Sequence, residues 1–195
     1  MKRMEDPNHE LVERARVGDP EAFRVLVESH SRPIFRVVFR ILGNEDLAED
    51  VVQESFLKAY RSLPGFDRRS QFWSWLYRIA VNCAYDAMRR ERRRGPHTDL
   101  AADPGFDTLA SEAPSADRLA ASGDIRRAVG RELAAMSPRE RAAFVLRHFE
   151  GRSILEIGEL LGMREGAVKQ AVFRAVGKLR KALAPVIEEN HEPAV

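Results

Sequence analysis

The chain has 195 residues, of which 32% are charged and 44% are hydrophobic, and its formal net charge is +2. No apolar run reaches the roughly 18 residues of a membrane span, and the single cysteine excludes an internal disulfide and a cysteine zinc cluster. The polar first ten residues lack the apolar core of a signal peptide. The sequence therefore predicts a cytoplasmic protein of one or two domains, without membrane insertion.

Charge is distributed in three parts. Residues 1–94 hold 18 Lys and Arg against 15 Asp and Glu, residues 95–122 hold one against five, and residues 123–195 hold 13 against 10. The middle part also contains three prolines and no periodic apolar pattern, which is typical of a flexible linker. The sequence predicts two mildly basic blocks that can lie far apart, joined by an acidic linker.

Helical periodicity predicts four helices in the first block, over about 9–17, 20–42, 45–62 and 72–94. Asp19 can cap the second helix, with Pro20 at its first position. One side of the third helix is crowded with polar residues, namely Glu49, Asp50, Gln53 and Glu54. These residues fit either a solvated surface or a protein-docking face, since phosphate would repel the acids.

The fourth helix combines early aromatic residues with a run of arginines at its end. Aromatic rings beside cations suit single-stranded nucleic acid, because bases stack on rings while cations contact phosphates. The alternatives are that Trp75 and Tyr77 belong to the core and that the arginines only complement the helix dipole. The pattern favours a core position for Trp75 and leaves Trp73 open.

The second block is predicted to contain a helix over about 124–136 and another that opens with the capping box Ser137-Pro138-Arg139-Glu140. Ser153 begins a short helix, Gly162 supplies a turn, and a long amphipathic helix starts at Glu165. Its predicted buried face contains Val168, Val172, Val176, Leu179 and Leu183, and its other face is basic. Two helices of this kind indicate a DNA-binding helix-turn-helix, or else an ordinary helical hairpin with a solvated basic face.

Catalytic signatures are missing from the sequence. It has no Gly-rich phosphate loop, no histidine pair at metal-ligand spacing and no nucleophile motif. The sequence therefore predicts a protein that is not an enzyme and that has no cofactor, no catalytic residue and no bound metal.

Two groups of motifs carry a family resemblance. The segment Leu47-Ala48-Glu49-Asp50-Val51-Val52-Gln53-Glu54-Ser55-Phe56, followed by Phe72-Trp73-Ser74-Trp75-Leu76-Tyr77-Arg78-Ile79-Ala80-Val81-Asn82, resembles region two of bacterial sigma factors. The segments 137–140, 145–151 and 168–169 resemble their region four. Order, spacing and linker are similar to those of the extracytoplasmic-function group of RNA polymerase sigma factors.

The resemblance implies an all-α fold of two small helical domains, region two over 1–94 and region four over 123–185, joined by the linker 95–122. It implies an alternative sigma factor that binds core RNA polymerase and directs promoter recognition, regulated by an anti-sigma factor and monomeric when free. The free domains are expected to be only loosely coupled. Region four would neighbour the polymerase flap.

The resemblance also implies site residues. The side with Glu49, Asp50, Gln53 and Glu54 would dock on the clamp helices of the polymerase. The −10 element would be bound by Phe66, Arg68, Arg69, Trp73, Tyr77, Arg78, Asn82, Asp86, Arg89 and Arg90. The −35 element would be bound by Arg164, Glu165, Gly166, Lys169, Gln170, Phe173, Arg174, Lys178 and Lys181, of which Arg174, Lys178 and Lys181 are expected to contact phosphate.

There are three departures from the family pattern: Gly158 replaces a small Ala, Arg164 replaces a frequent Ser cap, and Gln170-Ala171 replaces a common Ser-Arg pair. On helix propensity alone, Gly158 would cost about 1 kcal/mol. Two alternative functions are a self-contained dimeric helix-turn-helix regulator and a protein that only binds other proteins. Two DNA-facing blocks and an acidic docking helix favour the sigma factor over the simple regulator.

Overall fold

The computed structural model describes residues 8–67, 71–94, 125 and 128–189, with side chains to residue 185. The helices are α1 (His9–Arg16), α2 (Pro20–Leu42), α3 (Glu45–Ser62), α4 (Phe72–Arg94), α5 (described over 128–135), α6 (Pro138–His148), α7 (Ile154–Leu161) and α8 (Glu165–Glu189). A 3-10 turn, Leu63–Gly65, follows α3. The described residues contain no strand, so the all-α prediction is confirmed; the predicted linker lies outside them.

Side-chain caps fix where four of the described helices begin. At the start of α3, the Asn44 side chain accepts from the backbone N–H of Leu47. The Asp19 carboxylate accepts from the backbone N–H groups of Glu21 and Ala22, at the start of α2. Ser137 and Ser153 each form a capping box with a glutamate three residues later, Glu140 and Glu156. These caps satisfy backbone donors that have no partner inside the helix, so the predicted starts of α2, α6 and α7 are confirmed.

The core of the first block is built around α4, which packs against α2 and α3. Phe72, Leu76 and Ala80 lie along the buried side of α4 at helical spacing and are fully buried. Leu26 and Ile34 of α2 complete this core from the other side. Pro33 lies inside α2, which nevertheless runs without interruption to Leu42.

In the second block, α8 packs against α6 and α7. The buried side of α8 contains Val168, Ala171, Ala175 and Leu179. The predicted stripe was therefore partly wrong, since Val172, Val176 and Leu183 are only partly buried. The two alanines take the central positions because small side chains let α6 and α7 approach the helix closely.

The two blocks pack against each other, with α6 and α7 of the second block on α2 and α4 of the first. Buried residues of both blocks, such as Leu76 and Leu146, belong to one continuous apolar cluster. The expectation of loosely coupled domains is therefore wrong for this structure. The reason is that α6 and α7 have apolar residues beyond those that α8 covers, and burial against the first block removes that surface from water.

Candidate functional surfaces

An open groove of about 960 Å³ lies between α2 and α3. Its floor and walls are mostly apolar and include Phe23, Val27 and Leu57. Leu57 and Tyr60 are about half exposed, and the ring of Tyr60 stands edge-on to that of Phe23 at 4.9 Å between centroids. Contiguous exposed apolar surface of this kind is typical of a protein-binding site.

The predicted docking residues fall into two sets. Glu49, Asp50 and Gln53 are exposed and line the groove. Glu54 does not line it, because its carboxylate binds Lys58 at 2.7 Å and Arg90 at 3.2 Å, and the hydrogen bond from Lys58 lowers the pKa of Glu54. The structure therefore separates Glu54 from the other three. The apolar part of the groove was not predicted from the sequence, although Leu57 does not share the side of α3 that is buried in the core.

One long face of α4 is exposed and polar. Arg78, Asn82, Asp86, Arg89 and Arg90 all lie on it, as their spacing predicts. Arg89 and Asp86 approach to 3.9 Å, and Arg90 binds Glu54. The face thus presents cations and an amide along the helix, a surface that suits contact with a nucleic-acid strand.

Two aromatic residues of the predicted −10 set lie in the core. Phe66 is buried against Trp75, with ring centroids 5.0 Å apart, and Trp75 itself packs against the core but is only partly buried. Tyr77 is only 3% exposed, and burial raises the pKa of its hydroxyl. In this packed arrangement neither ring is accessible to DNA, because Phe66 belongs to the apolar aromatic cluster at the α4 N-terminus and Arg152 covers Tyr77. Their direct contact with DNA stays a prediction. Arg68 and Arg69 lie outside the described residues.

Trp73 takes an intermediate position. Its ring is partly buried between His30, at 5.6 Å between centroids, and Tyr77, at 5.8 Å. The indole therefore stays partly accessible.

The second block contacts the beginning of α4, beside its exposed face. The guanidinium of Arg152 stands over the Tyr77 ring at 4.5 Å from its centroid, and Arg78 approaches Glu159 to 3.7 Å. Arg40 of α2 and Glu150 form a 2.7 Å ion pair whose side chains are only 19% and 16% exposed. The blocks are thus joined by charged contacts around an apolar centre.

Arg141 of α6 is buried at the same interface. Its guanidinium lies against Gly43, the left-handed residue that ends α2, and a Cβ at that position would collide with it. A cation at the C-terminus of a helix is favoured by the helix dipole. Burial nevertheless lowers the pKa of Arg141 to about 10.

The helix-turn-helix is formed by α7, the left-handed Gly162 and α8. Every predicted −35 residue is exposed, so none belongs to the core. Lys169, Gln170 and Phe173 lie on the side of α8 opposite Ala171 and Ala175, and Phe173 is 79% exposed. This outward face places polar, basic and aromatic side chains together, as a helix that enters the major groove requires.

Arg174 and Lys178 lie on the flank of α8, where both bind Glu140 of α6. Arg174 Nε is 3.0 Å from one carboxylate oxygen and Lys178 Nζ is 2.9 Å from the other. Burial raises the pKa of Glu140, but the hydrogen bonds from Lys178, Ser137 and Arg174 outweigh it and lower the pKa to about 2. The contact of this carboxylate with α8 was not predicted from the sequence, because the capping-box motif indicates only that Glu140 caps α6.

The described residues offer neither a metal site nor a membrane span. Within the described ranges, no group of His, Cys, Asp and Glu side chains is arranged to hold a metal ion. None of the described helices has the length and apolar content needed to span a membrane.

Comparison with known families assigns both blocks. Residues 26–94 match the model of Sigma-70 region 2, and residues 126–179 match the model of Sigma-70, region 4. The two matches leave the intervening residues between them, in agreement with the two-block organisation of the sequence.

Similar proteins match over almost the whole chain. RNA polymerase sigma-H factor of Pseudomonas aeruginosa is 34% identical over 189 residues, covering 95% of this chain and 98% of that protein. ECF RNA polymerase sigma-E factor of Escherichia coli K12 is 35% identical over 181 residues, covering 91% and 94%. The structure of CnrH in complex with the cytosolic domain of CnrY superposes with a TM-score of 0.59 at 27% identity, covering 92% of this chain and 99% of that one.

Proposed function

The chain belongs to the extracytoplasmic-function group of the sigma-70 family, and from that premise we propose which surface performs each step of transcription initiation. As a sigma factor it binds core RNA polymerase and directs sequence-specific promoter recognition. Its relatives are transcription initiation factors, and we infer that this chain, too, is not an enzyme. Residues 1–94 form region two, 95–122 the linker and 123–185 region four. We infer a cytoplasmic location, because the protein acts together with the polymerase.

The groove between α2 and α3 is the surface for the polymerase clamp helices. The observation that carries this assignment is that an exposed apolar groove lies directly beside Glu49, Asp50 and Gln53. An apolar centre with a charged rim is the usual anatomy of a protein interface, in which rim charges steer association and fix register. In this assignment Glu54 does not contact the clamp helices itself. It acts through the two cations that it binds, Lys58 and Arg90.

The exposed face of α4 contacts the −10 element. Arg78, Asn82, Arg89 and Arg90 supply donors to phosphates or bases, and the accessible part of Trp73 offers a stacking surface. Tyr77 becomes accessible to the −10 element only after the second block moves away from α4. The outward face of α8 contacts the −35 element through Lys169, Gln170 and Phe173, with the flap of the polymerase beside region four.

An anti-sigma factor holds the free protein inactive in this proposal. The similar protein CnrH was solved together with the cytosolic domain of CnrY, which supports a protein partner. Such a partner would bind the open groove, because the packed arrangement leaves that docking surface accessible. Without a partner, the free protein is a monomer.

Run-off transcription tests the whole assignment. Core polymerase with this protein is expected to produce transcripts from a subset of a random fragment library, and core polymerase alone is not. The protein without polymerase is expected to give no specific footprint. A specific footprint by a dimer of the free protein would instead support a self-contained helix-turn-helix regulator, and no footprint with core polymerase would support a protein that binds only proteins.

A further inference from the structure

Glu140, the third residue of α6, is a carboxylate that contacts α8 and has no role in the assignments above beyond its cap. Its side chain is only 7% exposed, and it accepts from Arg174, from Lys178 and from the backbone N–H of Ser137. Two cations of α8 therefore share one buried carboxylate. The three side chains together have a net charge of +1, where two free cations would have +2.

We propose that Glu140 is a positioning residue that keeps Arg174 and Lys178 on the flank of α8 and withholds them from DNA phosphates, in contrast to the phosphate contacts that the sequence predicts for these two cations. The −35 contact then depends more on the outward residues Lys169, Gln170 and Phe173. This inference rests on the proposed assignment of α8 to the −35 element.

The physical basis is the cost of leaving a buried carboxylate without its partners. If Arg174 or Lys178 moved to a phosphate, Glu140 would keep its charge in a buried position with fewer compensating contacts, which is unfavourable. Lys169 is under no such restraint, because its Nζ lies 4.0 Å from Glu165 and both side chains are more than half exposed. The cations of α8 therefore differ in their freedom to bind phosphate.

The consequence concerns specificity. Phosphate contacts attract all DNA sequences alike and make binding salt-dependent, whereas contacts to base edges discriminate between sequences. By neutralising part of the charge on α8, Glu140 reduces the sequence-independent attraction and increases the share of binding that depends on the upstream element.

The first test replaces Glu140 by Gln, which removes the charge but can keep the capping box. Holoenzyme binding is measured at several salt concentrations, on a promoter selected by the wild-type holoenzyme and on the same promoter with a scrambled upstream element. We expect the slope of log affinity against log salt to become steeper by about one. Affinity for the scrambled promoter should rise more than affinity for the selected one, and an unchanged slope would overturn the inference.

Glu156→Gln is the matched control. Glu156 occupies the same capping-box position in α7, and its substitution changes the net charge equally, but its side chain binds Arg152 and not α8. We expect its salt slope and its discrimination to stay at the wild-type values. An effect equal to that of Glu140→Gln would mean that net charge alone is responsible, and the inference would fail.

A second comparison does not depend on altering the buried carboxylate. Lys178→Gln should change the salt slope by clearly less than one, because Lys178 is already paired, whereas Lys169→Gln should reduce it by about one. Equal losses in the two variants would contradict the inference. A wild-type holoenzyme that is insensitive to the upstream element would instead refute the assignment of α8 itself, so the two failures are distinguishable.

Discussion

The two long faces of the first block differ in what the second block leaves accessible. The groove between α2 and α3 is open, and all the residues that line it come from those two helices. The beginning of α4, in contrast, contacts the second block, where Arg152 covers Tyr77 and Glu159 approaches Arg78, whose side chain stays exposed. We infer that polymerase docking is possible in the packed arrangement, whereas full contact with the −10 element requires the second block to leave α4.

The largest expected effect tests the open face. Acids at the rim of the groove are expected to face cations of the polymerase. Replacing Glu49 and Asp50 by Lys should therefore weaken holoenzyme formation by about 1,000-fold, because like charges across an interface cost several kcal/mol. Titration of core polymerase with labelled protein measures the change. The same double reversal at Glu21 and Glu28, which are exposed on α2 but do not line the groove, should leave affinity nearly unchanged. Wild-type affinity of the Glu49 and Asp50 variant would refute the docking assignment.

The second prediction concerns the ion pair that joins the two blocks. Glu150→Arg places a cation against Arg40 in a mostly buried pair and should cost about 3 kcal/mol of the packing between blocks. Small-angle scattering of the free protein should then show a larger radius of gyration. Exchanging the charges, with Arg40→Glu and Glu150→Arg together, should restore much of the compactness. A wild-type radius in the single variant would show that the pair does not hold the blocks together.

A third prediction concerns the second block, which packs on α4, and tests whether the turn between α7 and α8 is rigid. Gly158→Ala would place a Cβ 2.7 Å from the carbonyl oxygen of Met163, so despite the better helix propensity of Ala it should cost about 2 kcal/mol in urea unfolding. Gly177→Ala is the control, because a Cβ there meets no neighbouring atom and should stabilise α8 by about 0.5–1 kcal/mol. Stabilisation by both substitutions would mean that the turn adapts.

The last prediction concerns Glu140 and is measured in acid. Its pKa in the folded protein, about 2, lies below the ordinary value of 4.5. The folded state therefore gains stability from this group above pH 4.5, and that stability is lost as the pH falls from 4.5 towards 2. Acid unfolding followed by amide exchange should show a corresponding loss in α6 and α8, which Glu140→Gln should reduce. An acid transition of the same size in that variant would exclude Glu140 as its cause.

Much of the fold could be predicted because its signals are local. Asp19, Ser137 and Ser153 cap their helices through backbone donors only two or three residues away, and the predicted spans of α3 and α4 agree with the structure. The exposed positions of Arg78, Asn82 and Asp86 follow from the helical period alone. These features do not depend on what lies across the molecule.

The features that the sequence did not predict depend on contacts between distant segments. The sequence alone determined the helices, the two-block organisation and the family, because caps, periodicity and motifs are local patterns. Only the tertiary structure decided that Tyr77 is covered, that Glu54 binds Arg90, that Gly158 faces a backbone carbonyl and that Glu140 holds two cations of α8. The physical reason is that burial and charge pairing depend on which surfaces meet, and residues 110 positions apart, such as Arg40 and Glu150, leave no local pattern that pairs them.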